Sequence, residues 1–156
     1  MSISITRFPE FKLALVLFRD LIDAAEMLDF FRGPWADRDG ETRWLTFVAP
    51  DADLAQLDLM SITELKRVVD RKRQERPWDE SFRSAIVSDS RRNDPMVNLW
   101  KGYVGRDPEH RSKPVVFSSL EGACAYLGLS AEARGALAEA VGLDRTAGVA
   151  RGASHS

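Results

Sequence analysis

The chain has 156 residues, with 22 Lys+Arg against 24 Asp+Glu and a formal net charge of −2. That balance gives no overall basic or acidic bias toward a charged partner, and 44% hydrophobic with 29% charged residues excludes a disordered chain. A single cysteine, Cys124, excludes an intramolecular disulfide framework and a cysteine cluster for zinc, and His110 and His155 are too few for a multi-histidine metal site.

Ile3 and Ile5 alternate with Ser4 and Thr6, which predicts a short strand with one buried face. Pro9-Glu10 turns the chain into a second strand over Lys12–Arg19. Its Leu-Ala-Leu-Val-Leu-Phe core has no polar face and should be covered on both sides. Asp20 then caps a helix over Leu21–Arg32, stopped by Gly33-Pro34 with the glycine left-handed. A polar loop leads to a third strand over Arg43–Ala49, and Ser61-Ile62-Thr63-Glu64 fits a capping box for a helix ending at Pro77. A fourth strand covers Ser84–Ser88. Asp94-Pro95 opens a helix closed by Gly105, and a fifth strand spans Pro114–Phe117. Ser118-Ser119-Leu120-Glu121 reads as another capping box for a helix running to Gly128. Ser130 caps a last helix, 131–141, stopped by Gly142.

The order β-β-α-β-α-β-α-β-α-α predicts an α/β fold. Its mixed, mostly parallel five-stranded sheet opens with an antiparallel hairpin and carries helices on its faces. One domain over 1–142 and a flexible tail over 143–156 follow from composition. The longest apolar run, Leu13–Phe18, falls far short of the ~20 residues a transmembrane helix needs. The first residues lack the basic-then-apolar order of a secretory signal. A cytoplasmic protein with no transmembrane segment is the expectation.

Three stretches carry a resemblance: the opening hairpin, Arg83-Ser84-Ala85-Ile86-Val87-Ser88-Asp89-Ser90 before a helix, and Val115-Val116-Phe117-Ser118-Ser119-Leu120-Glu121-Gly122-Ala123. Over roughly residues 3–128 the chain resembles a bacterial family of STAS-like domains. These share the fold of sulfate-transporter tails and anti-sigma-factor antagonists and are related to the CRAL-TRIO lipid-binding fold. The resemblance implies a serine phosphorylated by a partner kinase at the helix after the third strand. Ser61 is the nearest position and the candidate regulatory phosphoacceptor, in Asp58-Leu59-Met60-Ser61-Ile62-Thr63 where antagonists carry an Asp-Ser-Ser-Gly-like loop.

In open α/β sheets, ligands bind beyond the carboxyl ends of parallel strands, near a topological switch point. Those ends supply Asp51, Asp89, Ser90, Arg91, Arg92 and Ser118 as candidate ligand-binding residues. Hydroxyls, guanidinium groups and helix N-termini there suit a phosphate or carboxylate. The competing reading makes the serines and aspartates caps and turns, with the arginines solvated. The leading reading is a non-catalytic regulatory or binding module. It would act through an unknown protein partner or a small anionic or lipidic ligand at the strand ends, with no cofactor and no resident metal. One alternative is a small Mg²⁺-dependent phosphate-handling enzyme using Asp51, Asp53 and Asp89. Another is a weak nucleic-acid or membrane-surface binder through the basic helix 66–76, although Glu64, Asp70 and Glu75 dilute that helix and nucleic acid is not the expected partner. Trp35 and Trp78, beside prolines in loops, are folded under them or offered to a partner. An edge strand also leaves homodimerisation open.

Overall fold

The alternation of Ile3 and Ile5 builds β1 (Ile3–Phe8), which pairs antiparallel with β2 (Leu13–Phe18) in the register Ile3↔Phe18 to Phe8↔Leu13. A short 3-10 turn, Pro9–Phe11, joins them, closed by Lys12 in the left-handed region at φ 51°. The computed structural model describes residues 2–34, 40–75, 82–89, 91, 93–105 and 114–153, with the backbone alone for 72–75, 102–105 and 143–153. From β2 the sheet grows in one direction: β3 (Arg43–Val48), β4 (Arg83–Ser88) and β5 (Val115–Phe117) add in parallel, in the order β1-β2-β3-β4-β5. This is the expected mixed α/β sheet with an antiparallel first pair.

Parallel crossovers of one hand, stepping always in one direction, must lay their connecting helices on one face. The structure obeys this. Helices α1 (Ala24–Arg32), α2 (Leu59–Glu75) and α3 (Asp94–Gly105) share a face, where Met27, Phe30, Leu65, Val69 and Val97 pack on Ala14, Val16, Phe18, Trp44, Val48 and Ile86. Helices α4 (Leu120–Tyr126) and α5 (Ala131–Ala153) cover the other face, where Cys124, Leu127, Leu137 and Val141 meet Leu13, Leu15, Leu17, Leu45, Phe47 and Val87. Every residue of β2 is buried, as its unbroken apolar run requires.

The helix starts need correction. Asp23, not Asp20, caps α1, its carboxylate accepting the Glu26 amide at 2.7 Å. Residues 20–22 are held instead by the neighbouring loop: Leu21 bridges Asp53, and the Asp53 amide donates to the Asp20 carbonyl at 2.7 Å. Gly33 lies at φ −109°, so α1 ends without a left-handed glycine. In α2 the cap is Asp58 rather than Ser61, and in α4 it is Ser119, which accepts the Gly122 amide at 3.1 Å. Gly128 does stop α4 in the left-handed region, at φ 65°. Ser130 caps α5 as expected, accepting the Ala133 amide at 3.1 Å. That helix, however, runs through Gly142 to Ala153. A helical glycine costs only ~1 kcal/mol against alanine, and no proline follows to block the ladder.

At the amino-terminal ends of the parallel strands, Arg7 pairs with the buried carboxylate of Glu41, donates to the Pro34 carbonyl at 2.8 Å and lies 5.9 Å from the Trp44 ring centroid. This closes one end of the molecule with satisfied charges. No helix among the described residues is long and apolar enough to cross a membrane.

Candidate functional site

The opposite end of the sheet is built differently. Phe18 and Val48 end β2 and β3, and beneath them, on the face covered by α1–α3, lies a cavity of about 80 Å³. Its floor is Phe18, Thr46, Val48 and Ile86 from the sheet; its walls include Met27 and Phe31 of α1, Ile62 and Leu65 of α2, and Met96, Val97 and Trp100 of α3. Leu54 and Leu57, from the loop between β3 and α2, complete the lining. Helix α2 packs closely on α1 and sparsely on α3.

Thr46 carries the single hydroxyl among these lining residues, and the Trp100 indole N–H is the only other polar side-chain group. Strand parity makes the rest of the floor legible. Thr46 pairs with Ile86 and Val48 with Ser88, and alternate residues share a face, so Thr46, Val48, Ile86 and Ser88 form one patch. Ser88 is 6% exposed, and its buried hydroxyl has no hydrogen-bond partner among the described residues.

Asn93 fixes the loop that supplies Leu54 and Leu57. Fully buried, it accepts the Leu54 amide at 3.0 Å through Oδ1 and donates from Nδ2 to the Ala52 carbonyl at 2.8 Å. Its own carbonyl accepts the Met96 and Val97 amides, both at 3.1 Å, starting α3. One side chain therefore ties the β3–α2 loop to α3, where both line the cavity. Asn93 is not among the residues singled out from the sequence; its position directly before Asp94-Pro95 is the available signal. The cavity itself had none, because it is the volume left between layers.

The candidate strand-end residues fall where expected in the topology. Asp51, Asp89 and Ser118 follow β3, β4 and β5 at the same end of the sheet, and these strands are neighbours through Val48↔Ser88 and Val87↔Phe117. Each of the three is exposed, as is Arg91, and among the described residues no hydrogen bond or ion pair joins them. Ser90 and Arg92 lie outside the described residues, as do Trp35, Trp78, His110 and His155. The monotonic strand order contains no reversal, so the switch point that motivated a crevice between strand ends does not exist here.

The Ser61 and Gly122 amides at the starts of α2 and α4 are bonded to their own caps. The Asp58 carboxylate accepts the Ser61 amide and the Ser61 hydroxyl, both at 2.8 Å, and these bonds hold its pKa below the ordinary carboxylate value. Ser61 thus sits inside the first turn of α2 as a donor to a carboxylate, rather than as the cap. No group of three or more His, Cys, Asp or Glu side chains that could hold a metal gathers among the described residues, which leaves Asp51, Asp53 and Asp89 without a shared site. On α2, Lys66 pairs with Asp70 at 2.6 Å, and Arg67 with Glu64 at 2.8 Å, so these basic residues meet carboxylates within the helix; the side chains of Lys72 and Arg73, and Arg76 entirely, lie outside the described residues. Cys124 is buried against the other face, and burial pushes its thiol pKa up against the opposing pull of Arg134. Comparison with known proteins adds no assignment: no family model, curated protein or solved structure matches this chain.

Proposed function

We propose that the chain is a non-catalytic binding module that takes the apolar part of a small ligand into the cavity under the carboxyl ends of β2–β4. The carrying observation is the cavity itself: about 80 Å³, lined almost wholly by carbon and thioether groups. Covering this lining removes apolar surface from water, worth about 25 cal/mol per Å², and an apolar occupant does so. Apolar pockets with few polar groups are the usual form of a small-molecule site, commonly at about 300–1,000 Å³, so a space of about 80 Å³ takes only the short apolar end of a ligand. This narrows the anionic-or-lipidic alternative of the sequence to its lipidic half. The STAS-like resemblance and a cytoplasmic setting belong to the same reading. A second reading, protein contact, rests on Leu59 and Met60 in the first turn of α2, exposed at 57% and 80% beside the cavity residue Ile62.

The experiment is thermal unfolding in the presence of 1-chlorobutane, with Val97→Leu as the occluding variant. At tenfold over Kd, binding to the native state adds about 1.4 kcal/mol of stability, which raises Tm by roughly 3–5 °C for a chain of this size. The rise should shrink in Val97→Leu. No rise in the wild type, or an equal rise in both proteins, would overturn the proposal.

A further inference from the structure

We infer that the cavity's ligand is uncharged and bears a hydrogen-bonding group, received at Thr46 of the floor and at Ser88, which lies beyond the lining on the same face of the next strand; this rests on the cavity being a ligand site. Two independent observations converge on that pair. Thr46 brings the single hydroxyl among the lining residues, whose one other polar side-chain group is the Trp100 indole N–H. Ser88, 6% exposed, holds a buried hydroxyl on the same face of the next strand, with no partner among the described residues. With strands ~4.8 Å apart and ~3.3 Å of rise per residue, the two Cα atoms lie about 8 Å apart on the diagonal. The other diagonal, Val48 and Ile86, lines the cavity. A buried hydroxyl without a partner is unfavourable until something bonds it, and an apolar ligand with one polar atom placed here does so.

The charge of the ligand follows from what lines the cavity. No Lys, Arg, Asp or Glu is among the lining residues. An anion finds no counter-charge inside, and the Ser61 amide of α2 and the Met96 and Val97 amides of α3 are already bonded to the Asp58 carboxylate and to the Asn93 carbonyl. A cation fares no better inside, because no carboxylate lines the cavity to replace its hydration. The volume admits a group the size of a short alkyl chain, about half of a ~150 Å³ cavity that holds benzene. A neutral alcohol, ketone or amide with a short hydrocarbon part is therefore the chemical class.

The test is a titration of wild type, Thr46→Val, Ser88→Ala and Thr46→Ser with butan-1-ol, 1-chlorobutane and butyrate, followed through methyl chemical shifts. Expected is a three- to ten-fold drop in the butan-1-ol to 1-chlorobutane affinity ratio in Thr46→Val and in Ser88→Ala, the worth of one net hydrogen bond at about 0.7–1.4 kcal/mol. Thr46→Ser should retain the ratio, 1-chlorobutane should bind all four proteins alike, and butyrate should bind least. If 1-chlorobutane binds but the ratio is unchanged in both hydroxyl-deleting variants, or butyrate binds better than butan-1-ol, this inference fails while the cavity reading stands. If 1-chlorobutane and butan-1-ol both fail to bind, the cavity reading and this inference fall together.

Discussion

Replacing Asn93 by alanine is the sharpest perturbation the fold offers, because one fully buried side chain joins the cavity's loop to α3. The substitution removes the acceptor of the Leu54 amide and a donor to the Ala52 carbonyl, in a region where Ala52 is 0% and Leu54 5% exposed. Stranding a buried amide costs about 1–3 kcal/mol, and the second lost bond about 1 kcal/mol more. The sum, about 2–4 kcal/mol, is a large share of the 5–15 kcal/mol typical of a domain and lowers Tm by roughly 5–15 °C. Urea unfolding followed by fluorescence and by circular dichroism measures it directly. Asn93→Asp supplies the control. It keeps an acceptor for Leu54 but turns the donor facing Ala52 into an acceptor, so at neutral pH it should be at least as damaging as alanine. Protonation restores a donor, so the carboxyl's folded-state affinity for its proton exceeds the unfolded one. The deficit of Asn93→Asp should therefore shrink as pH falls from the raised folded value to the ordinary carboxylate range, and stay constant below it. An Asn93→Ala variant within 0.5 kcal/mol of wild type, on the order of a neutral surface substitution, would refute the assigned role.

Val97→Leu adds one methylene facing the cavity and should stabilise the unliganded protein by up to ~0.8 kcal/mol; a loss above ~1 kcal/mol in urea would show that the space is already filled. The lowered pKa of Asp58 means that its bonds to Ser61 stabilise α2 above the ordinary carboxylate range and are lost as pH falls through the lower folded value. Wild type should thus exceed Asp58→Ala in stability at pH 7 and converge with it in strong acid, and a constant gap across pH would contradict the cap. Cys124, buried with its thiol pKa raised, should react with a disulfide reagent far more slowly in native protein than in denaturant; equal rates would contradict its burial.

Much of the fold could be read from the chain because it depends on local chemistry. The unbroken apolar run of Leu13–Phe18, the two-residue alternation of Ile3 and Ile5, and the Gly128 stop each report a constraint acting on neighbouring residues. Helix starts were read less well, since Asp20, Asp23, Asp58 and Ser61 are all competent caps and tertiary pairing chooses among them. Leu21 is drawn to Asp53, so α1 starts late. The strand-end residues were placed at the correct end of the sheet by topology alone. The sequence could not report that the strand order never reverses, so a rule about switch points was applied to a sheet without one. The cavity, Thr46's place in it and the Asn93 tie depend on distances between layers, and no periodicity along the chain encodes those.

The most direct measurement is a methyl-labelled spectrum of the wild-type protein titrated with 1-chlorobutane. The methyls of Met27, Leu57, Ile62, Leu65, Ile86 and Val97 surround the cavity from four elements and a loop, and the account predicts saturable shifts in this set with a common Kd. Shifts confined to the exposed Leu59 and Met60, or none at all, would contradict it.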